Sequence, residues 1–207
     1  MALLMSRSRG VGIAPILGLA LFLSSAAIAP GRQIAHAATS ETVLTLDTAQ
    51  STVHWTVAST LHTVHGTFAL KSGTVHFDPE TGKAGGEIVV SATSGESGNG
   101  SRDARMRMEI LETAKYPEVV FRPTLVEGKV GPSGASDVMI HGIFSIHGAD
   151  HDLTAVVHAE LMGDHWKGAG KFDVPYVAWG IKDPSNFVLK VKPVVNVELE
   201  MAGSERF

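Results

Sequence analysis

The stretch VNVELEM, Val195 to Met201, sets Val195, Val197, Leu199 and Met201 against Asn196, Glu198 and Glu200 in strict alternation. Successive side chains of a β-strand point to opposite faces, so this stretch is a strand with one dry face and one wet one. A lone strand of that kind is unstable and needs partners with dry faces of their own. The rest of the chain supplies them.

From Val138, positions 138, 140, 142, 144 and 146 read Val, Ile, Gly, Phe and Ile, while 139, 141, 143, 145 and 147 read Met, His, Ile, Ser and His. Val53, Trp55 and Val57 alternate with His54 and Thr56. Gly66 to Leu70, Gly73 to Phe77, Ile88 to Ala92, Val119 to Val126, Leu153 to Leu161, Trp166 to Val174 and a last run from Phe187 to Met201 continue the series. The count is about eight or nine half-buried antiparallel strands, an all-β chain. Asp78-Pro79-Glu80-Thr81-Gly82 holds the Pro and Gly of a tight reversal. Gly148-Ala149-Asp150 predicts a hairpin turn between His147 and His151. Pro193 withholds a backbone donor and suits a strand start or an edge.

One segment departs from this period. After a glycine-rich loop, Ser101 to Ala114 is built of helix formers, with Ser101 as the expected N-cap and Asp103 in the first turn, where negative charge suits the helix dipole. Met106, Ile110, Leu111 and Ala114 fall on one face at spacings of three and four. Tyr116-Pro117 ends the helix. A single short amphipathic helix is therefore expected beside the sheet.

The chain has 207 residues, 44% of them hydrophobic, enough for one well-buried domain. Arg7 and Arg9 precede an uncharged apolar run from Val11 to Ala29, and Ala35-His36-Ala37-Ala38 closes it, so residues 1–38 are expected to be a signal peptide and 39–207 the mature domain. An uncleaved membrane anchor is the competing reading, against which stand Gly12, Pro15, Gly18 and the Ala-x-Ala site. A periplasmic or secreted location follows from cleavage. Arg7, Arg9 and Arg32 are the only formally charged residues in the leader, so 14 basic and 21 acidic side chains remain and the net charge moves from -4 to about -7. Such a charge disfavours nucleic acid, whose binding depends on neutralising phosphates. Cysteine is absent, which excludes disulfides and thiolate metal sites.

The segment SRDARMRMEILETAKYPEVVFRP, Ser101 to Pro123, resembles the signature region of the YceI-like family, with Arg102, Asp103, Tyr116, Pro117 and Phe121 as the matching residues. DTAQSTVHWTV from Asp47, LHTVHGTFALKSGTVHFDPETG from Leu61, IHGIFSIHGADHDLTAVV from Ile140 and FDVPYVAWGIKD from Phe172 agree in order and spacing. Together they cover roughly residues 45–202. The resemblance implies an antiparallel lipocalin-like β-barrel of about eight strands with one short amphipathic helix. It also implies an isoprenoid lipid or quinone as ligand, transient contact with a membrane, no cofactor beyond that ligand, and no enzymatic activity. A barrel of this size is wide enough to be filled by side chains or to hold one slender ligand.

Strand parity and the helix face give the inward candidates for such a ligand: Trp55, Val57, Phe68, Val75, Phe77, Met106, Ile110, Leu111, Phe121, Ile140, Phe144, Ile146, Val157, Phe172 and Val197. Parity alone does not distinguish a lined cavity from a filled core. Arg102 and Asp103 are expected as a polar pair near the barrel mouth. The glycines at 142, 148, 168 and 170 either open volume or permit bending.

The histidines raise a second reading, a histidine-based metal-binding periplasmic protein. Parity places His54 and His76 on the wet face, and His62 and His65, three apart, on opposite sides of a regular strand. His147 and His151, with Asp152, are the pair that a turn would bring together. No metal site is assigned. A third reading, a hydrolase, has little support, because no Gly-x-Ser-x-Gly elbow, His-Glu-x-x-His helix or phosphate loop is present.

Overall fold

The computed structural model describes residues 41–131 and 133–206. The signal-peptide segment expected at 1–38 lies outside them. Among the described residues nine antiparallel strands form one sheet: β1 (Thr42–Leu46), β2 (Thr52–Ala58), β3 (Thr63–Phe77), β4 (Ala84–Ser91), β5 (Glu118–Gly128), β6 (Gly134–Ile146), β7 (Ala149–Met162), β8 (His165–Val174) and β9 (Val195–Arg206).

The sheet closes on itself. From β3 to β9 each strand pairs with the next, while β1 and β2 both lie between β3 and β9. They run in the same direction and together make one interrupted stave, so nine strands fill eight positions around the barrel. Closure removes the exposed edges that an open sheet of this kind would present. The interruption, after Leu46, is held by Asp47, whose Oδ1 accepts from the Ala49 N–H at 2.8 Å.

β3 is one long strand where two short runs are expected, because a bulge between Leu70 and Ser72 lets it bend without breaking. Its first half pairs with β2 and its second half with β1 and β4. The Asp78 to Gly82 turn forms as expected, with Gly82 at a φ of +71°.

Other expectations need correction or addition. β1 carries no sequence signal beyond Val43, Leu44 and Leu46, and its strand character comes from pairing on both sides. The last run starts only at Val195; residues 187–194 are irregular apart from a bridge at Val191, held by Asn186 and the 59–62 loop. The β6–β7 turn is the two-residue His147-Gly148, with φ of +53° and +76°, so Ala149 and Asp150 already belong to β7. Positive φ at both positions is what a type I′ hairpin requires.

The helix is also shorter than its periodicity suggests. The α-helical part, α1, spans Gly100–Arg105, and a π-helical turn, Met106–Ile110, follows. Asn99, not Ser101, is the N-cap: its Oδ1 accepts from the Arg102 N–H at 3.0 Å. Glu112 at a φ of +46° stops the helical path, and Ala114 is exposed in the turn beyond.

Candidate functional site

The inward faces of the strands stand around a cavity of about 680 Å³. That volume falls within the range of about 300–1,000 Å³ for small-molecule sites. All fifteen apolar candidates line it: Trp55 and Val57 on β2, Phe68, Val75 and Phe77 on β3, Phe121 on β5, Ile140, Phe144 and Ile146 on β6, Val157 on β7, Phe172 on β8, Val197 on β9, and Met106, Ile110 and Leu111 from the helical cap. Period two is what makes the strand members of this list readable from the sequence, since one correct residue per strand fixes the orientation of the rest.

The two ends differ. At one end the lining includes Ser59 and His62 from the β2–β3 hairpin, Ser101, Arg102 and Arg105 from α1, and Pro184, Leu189 and Val191 from the loop before β9. Leu61, Ser101 and Arg105 at this end are exposed, which makes it the mouth. At the other end Phe77, Val126 and Val138 are buried as one cluster, with Leu44 and Val130 packed on them, and this end is sealed.

Gly168 and Gly170 on β8 line the cavity, and neither has an atom within 3.0 Å of where a Cβ would stand. Gly142 on β6 instead receives the Phe121 ring, whose Cζ lies 2.7 Å from the position of a Cβ. Glycines of the first kind open volume; Gly142 lets an aromatic ring lie flat against the wall.

The polar pair expected at the mouth is divided. Arg102 lines the cavity, but its Nε and Nη2 donate to Ser97 Oγ and Ser97 O at 2.7 and 2.8 Å. Asp103 is buried beneath the helix, outside the lining, and accepts from the Ser97 hydroxyl. Burial by itself would raise the Asp103 carboxyl, but the side-chain and backbone hydrogen bonds from Ser97 and the charges of Arg102 and Arg107 outweigh it and hold it below the usual carboxylate range. Asp103 therefore fixes the loop that carries Arg102 rather than facing a ligand. Arg105 Nε donates to Glu109 Oε2 at 3.4 Å, and Lys182 Nζ donates to the same oxygen at 3.1 Å, which ties the cap to the loop before β9.

That loop closes over the mouth through aromatic contacts. Trp179 stacks on His151 with centroids 4.2 Å apart and meets Phe144 at 5.8 Å. The Ile181 N–H donates to Tyr176 O at 2.9 Å, and Ile181 is buried. Burial, with a smaller contribution from Asp183, pushes the Tyr176 hydroxyl up to about 12, so it stays protonated.

Parity on the expected strands omits several lining residues. Tyr176 and Ile181 come from irregular backbone, which has no period to read. Trp166 and Glu205 do follow the period: Trp166 shares parity with Phe172, and Glu205 continues the alternation of β9 two residues past Gly203.

The histidines do not converge. His62 lines the mouth, while the Nδ1 of exposed His65 lies 3.0 Å from Thr56 Oγ1. His76 faces outward, 3.7 Å from Glu41. His147 Nε2 lies 2.7 Å from Glu112 Oε2, and the neighbouring His151 ring goes instead to Trp179. Among the described residues no three of His, Asp or Glu gather in a metal-binding arrangement.

The sequence matches the YceI-like domain over residues 44–202. It is 30% identical to a UPF0312 protein of Shewanella sp. (strain MR-4) over 142 residues, 67% of this chain and 72% of that protein. Protein YceI of Escherichia coli is 30% identical over 110 residues, 51% of this chain and 54% of its own length. Among solved structures, Burkholderia cenocepacia BcnA superposes with a TM-score of 0.61 at 14% identity, covering 77% of this chain and 99% of its own. A polyisoprenoid binding domain from Saccharophagus degradans, implicated in plant cell wall breakdown, gives 0.57 at 13% identity, covering 79% and 98%. At these identities the structural likeness concerns the fold.

Proposed function

The chain belongs to the YceI-like domain family, and on that premise we propose that it is an exported binding protein whose barrel holds an isoprenoid lipid or quinone. The observation that carries this reading is the lining: hydrocarbon side chains from every stave around about 680 Å³, with the cationic groups confined to the mouth. A prenyl chain offers methyl, methylene and alkene surface, and its transfer into such a lining is favourable by about 25 cal/mol per Å² buried. The polyisoprenoid-binding character of the Saccharophagus degradans domain supports the same ligand class. The protein then acts as a carrier, store or chaperone in the periplasm or outside the cell, with no chemical step.

Transient membrane contact is part of the proposal. Around the mouth Leu61, Met108, Phe187 and Val188 are exposed, Phe187 at 98%. The 59–62 hairpin and the loop before β9 are joined there, the Thr60 N–H donating to Lys190 O at 2.9 Å. Apolar side chains that ring the opening of a lipid-holding cavity suit insertion at a bilayer surface.

Purification of the exported protein without detergent, extraction with organic solvent and mass spectrometry test the reading. A stoichiometric prenyl species is the expected result. Recovery of no lipid, together with no uptake of added prenyl lipid, would refute it.

A further inference from the structure

We infer that the sealed end of the cavity is a head-group site, in which the carboxyl of Glu205 and the indole N–H of Trp166 bind the hydroxyl of a neutral prenyl alcohol or quinol that enters head first. The inference rests on the lipid-binding reading above and adds the orientation and the chemical class of the head.

Glu205 is 5% exposed and lines the cavity, and among the described residues neither carboxyl oxygen has a hydrogen-bond partner. Trp166, 8% exposed, lines the same cavity, and its Nε1 is likewise without a partner among the described residues. The two lie together. Trp166 pairs with Gly203 across the β8–β9 ladder, and its Nε1 is 2.9 Å from where a Cβ on Gly203 would stand. Glu205 follows two residues later on the same inner face of β9, since side chains two apart in a strand share a face.

Buried polar groups without partners are costly, about 1–3 kcal/mol each. A purely hydrocarbon ligand would leave both unmet. A neutral carboxyl both donates and accepts, and an indole N–H donates, so a hydroxyl placed between them satisfies both. Burial drives the Glu205 carboxyl toward that neutral form by raising it above its usual value.

A phosphorylated head fits poorly here, since it would bring anionic charge to a buried carboxyl. The cationic lining residues, Arg102 and Arg105, lie at the opposite end and already serve Ser97 and Glu109. A head lying at the bilayer surface also reaches the mouth before its tail. Head-first entry leaves the tail along the hydrocarbon wall.

The test measures displacement of a fluorescent apolar probe from the purified protein by geranylgeraniol, geranylgeranyl methyl ether and geranylgeranyl diphosphate. The alcohol should bind at least about tenfold more tightly than the ether or the diphosphate, a difference of one hydrogen-bonded group. Glu205→Leu should erase the preference for alcohol over ether while ether binding persists, which reports an intact cavity. Glu205→Gln, which still donates and accepts, should keep the preference, and His76→Gln on the outer face of the barrel should leave it unchanged. Equal binding of all three compounds overturns the head-group assignment but leaves the lipid-binding reading standing. So does a preference that survives Glu205→Leu. Failure of all three compounds to displace the probe overturns both.

Discussion

The imidazole of His151 lies flat on the indole of Trp179, with ring planes 5° apart and centroids 4.2 Å apart. Trp179 also touches Phe144 in the cavity wall, so one side chain fastens the loop before β9 to the first residues of β7 and to the lining. Trp179→Ala should lower stability by about 1–3 kcal/mol. It should also speed hydrogen exchange at the Ile181 amide, which bonds Tyr176 O in the same loop. Denaturant unfolding and amide exchange measure the two effects, and an unchanged Ile181 amide would show that the stack does not hold the loop.

Phe144 and His76 test the sidedness of the sheet. Phe144 faces the cavity and is buried, whereas His76 faces water and is half-buried. Phe144→Asp places a charge in the apolar lining and should cost about 4 kcal/mol or more, or prevent folding. His76→Gln should change stability by less than about 0.5 kcal/mol in urea unfolding. Equal damage from both would contradict the parity of β3 and β6.

The helix cap separates Asn99 from Ser101. Asn99 accepts the Arg102 amide, so Asn99→Ala should cost about 1 kcal/mol by thermal or denaturant unfolding. Ser101→Ala is expected to be near neutral, because Ser101 is already inside the helix and exposed. The reverse order of effects would place the cap where the sequence alone puts it.

Glu205 gives a pH dependence with a definite sign. Burial raises its carboxyl above the usual 4.5 in the folded state. A raised acid favours the folded protein while protonated, so its contribution is complete below about 4.5 and is lost as pH climbs through the raised value. Among the described residues, Asp164, which lends its backbone oxygen to the Glu205 N–H, and Arg206 are charged neighbours, and both are exposed. Stability measured against pH should fall more steeply in the wild type than in Glu205→Gln across that window, and parallel curves would show that the carboxyl is not buried.

The mouth predicts membrane behaviour. The loop from 175 to 194 carries Lys182, Lys190 and Lys192 against Asp183 alone, beside exposed Phe187 and Val188. Replacing both Phe187 and Val188 by Ser should reduce co-sedimentation with anionic phosphatidylglycerol vesicles by about tenfold or more, leaving the unfolding midpoint unchanged. Unaltered sedimentation would remove this loop from the contact.

The sequence by itself determined which way each strand faces. Val195 to Met201, Val53 to Val57 and the run from Val138 to Ile146 alternate, and alternation is a local property set by backbone geometry, so the twelve strand candidates reach the cavity. The ordered motifs, with Arg102, Asp103, Tyr116, Pro117 and Phe121, likewise sufficed for the family. Tertiary structure decided the rest. β1 exists because β3 and β9 both offer it hydrogen-bonding edges, and the 3.6-residue pattern through Ala114 gave way where Glu112 turned left-handed. Asp103 left the mouth because Ser97 and the neighbouring arginines stabilise its charge beneath the helix. Whether the interior is hollow, which end is sealed, and that Trp166 and Glu205 both line that end depend on how eight staves close. Closure is a sum over distant residues, and no local period encodes it.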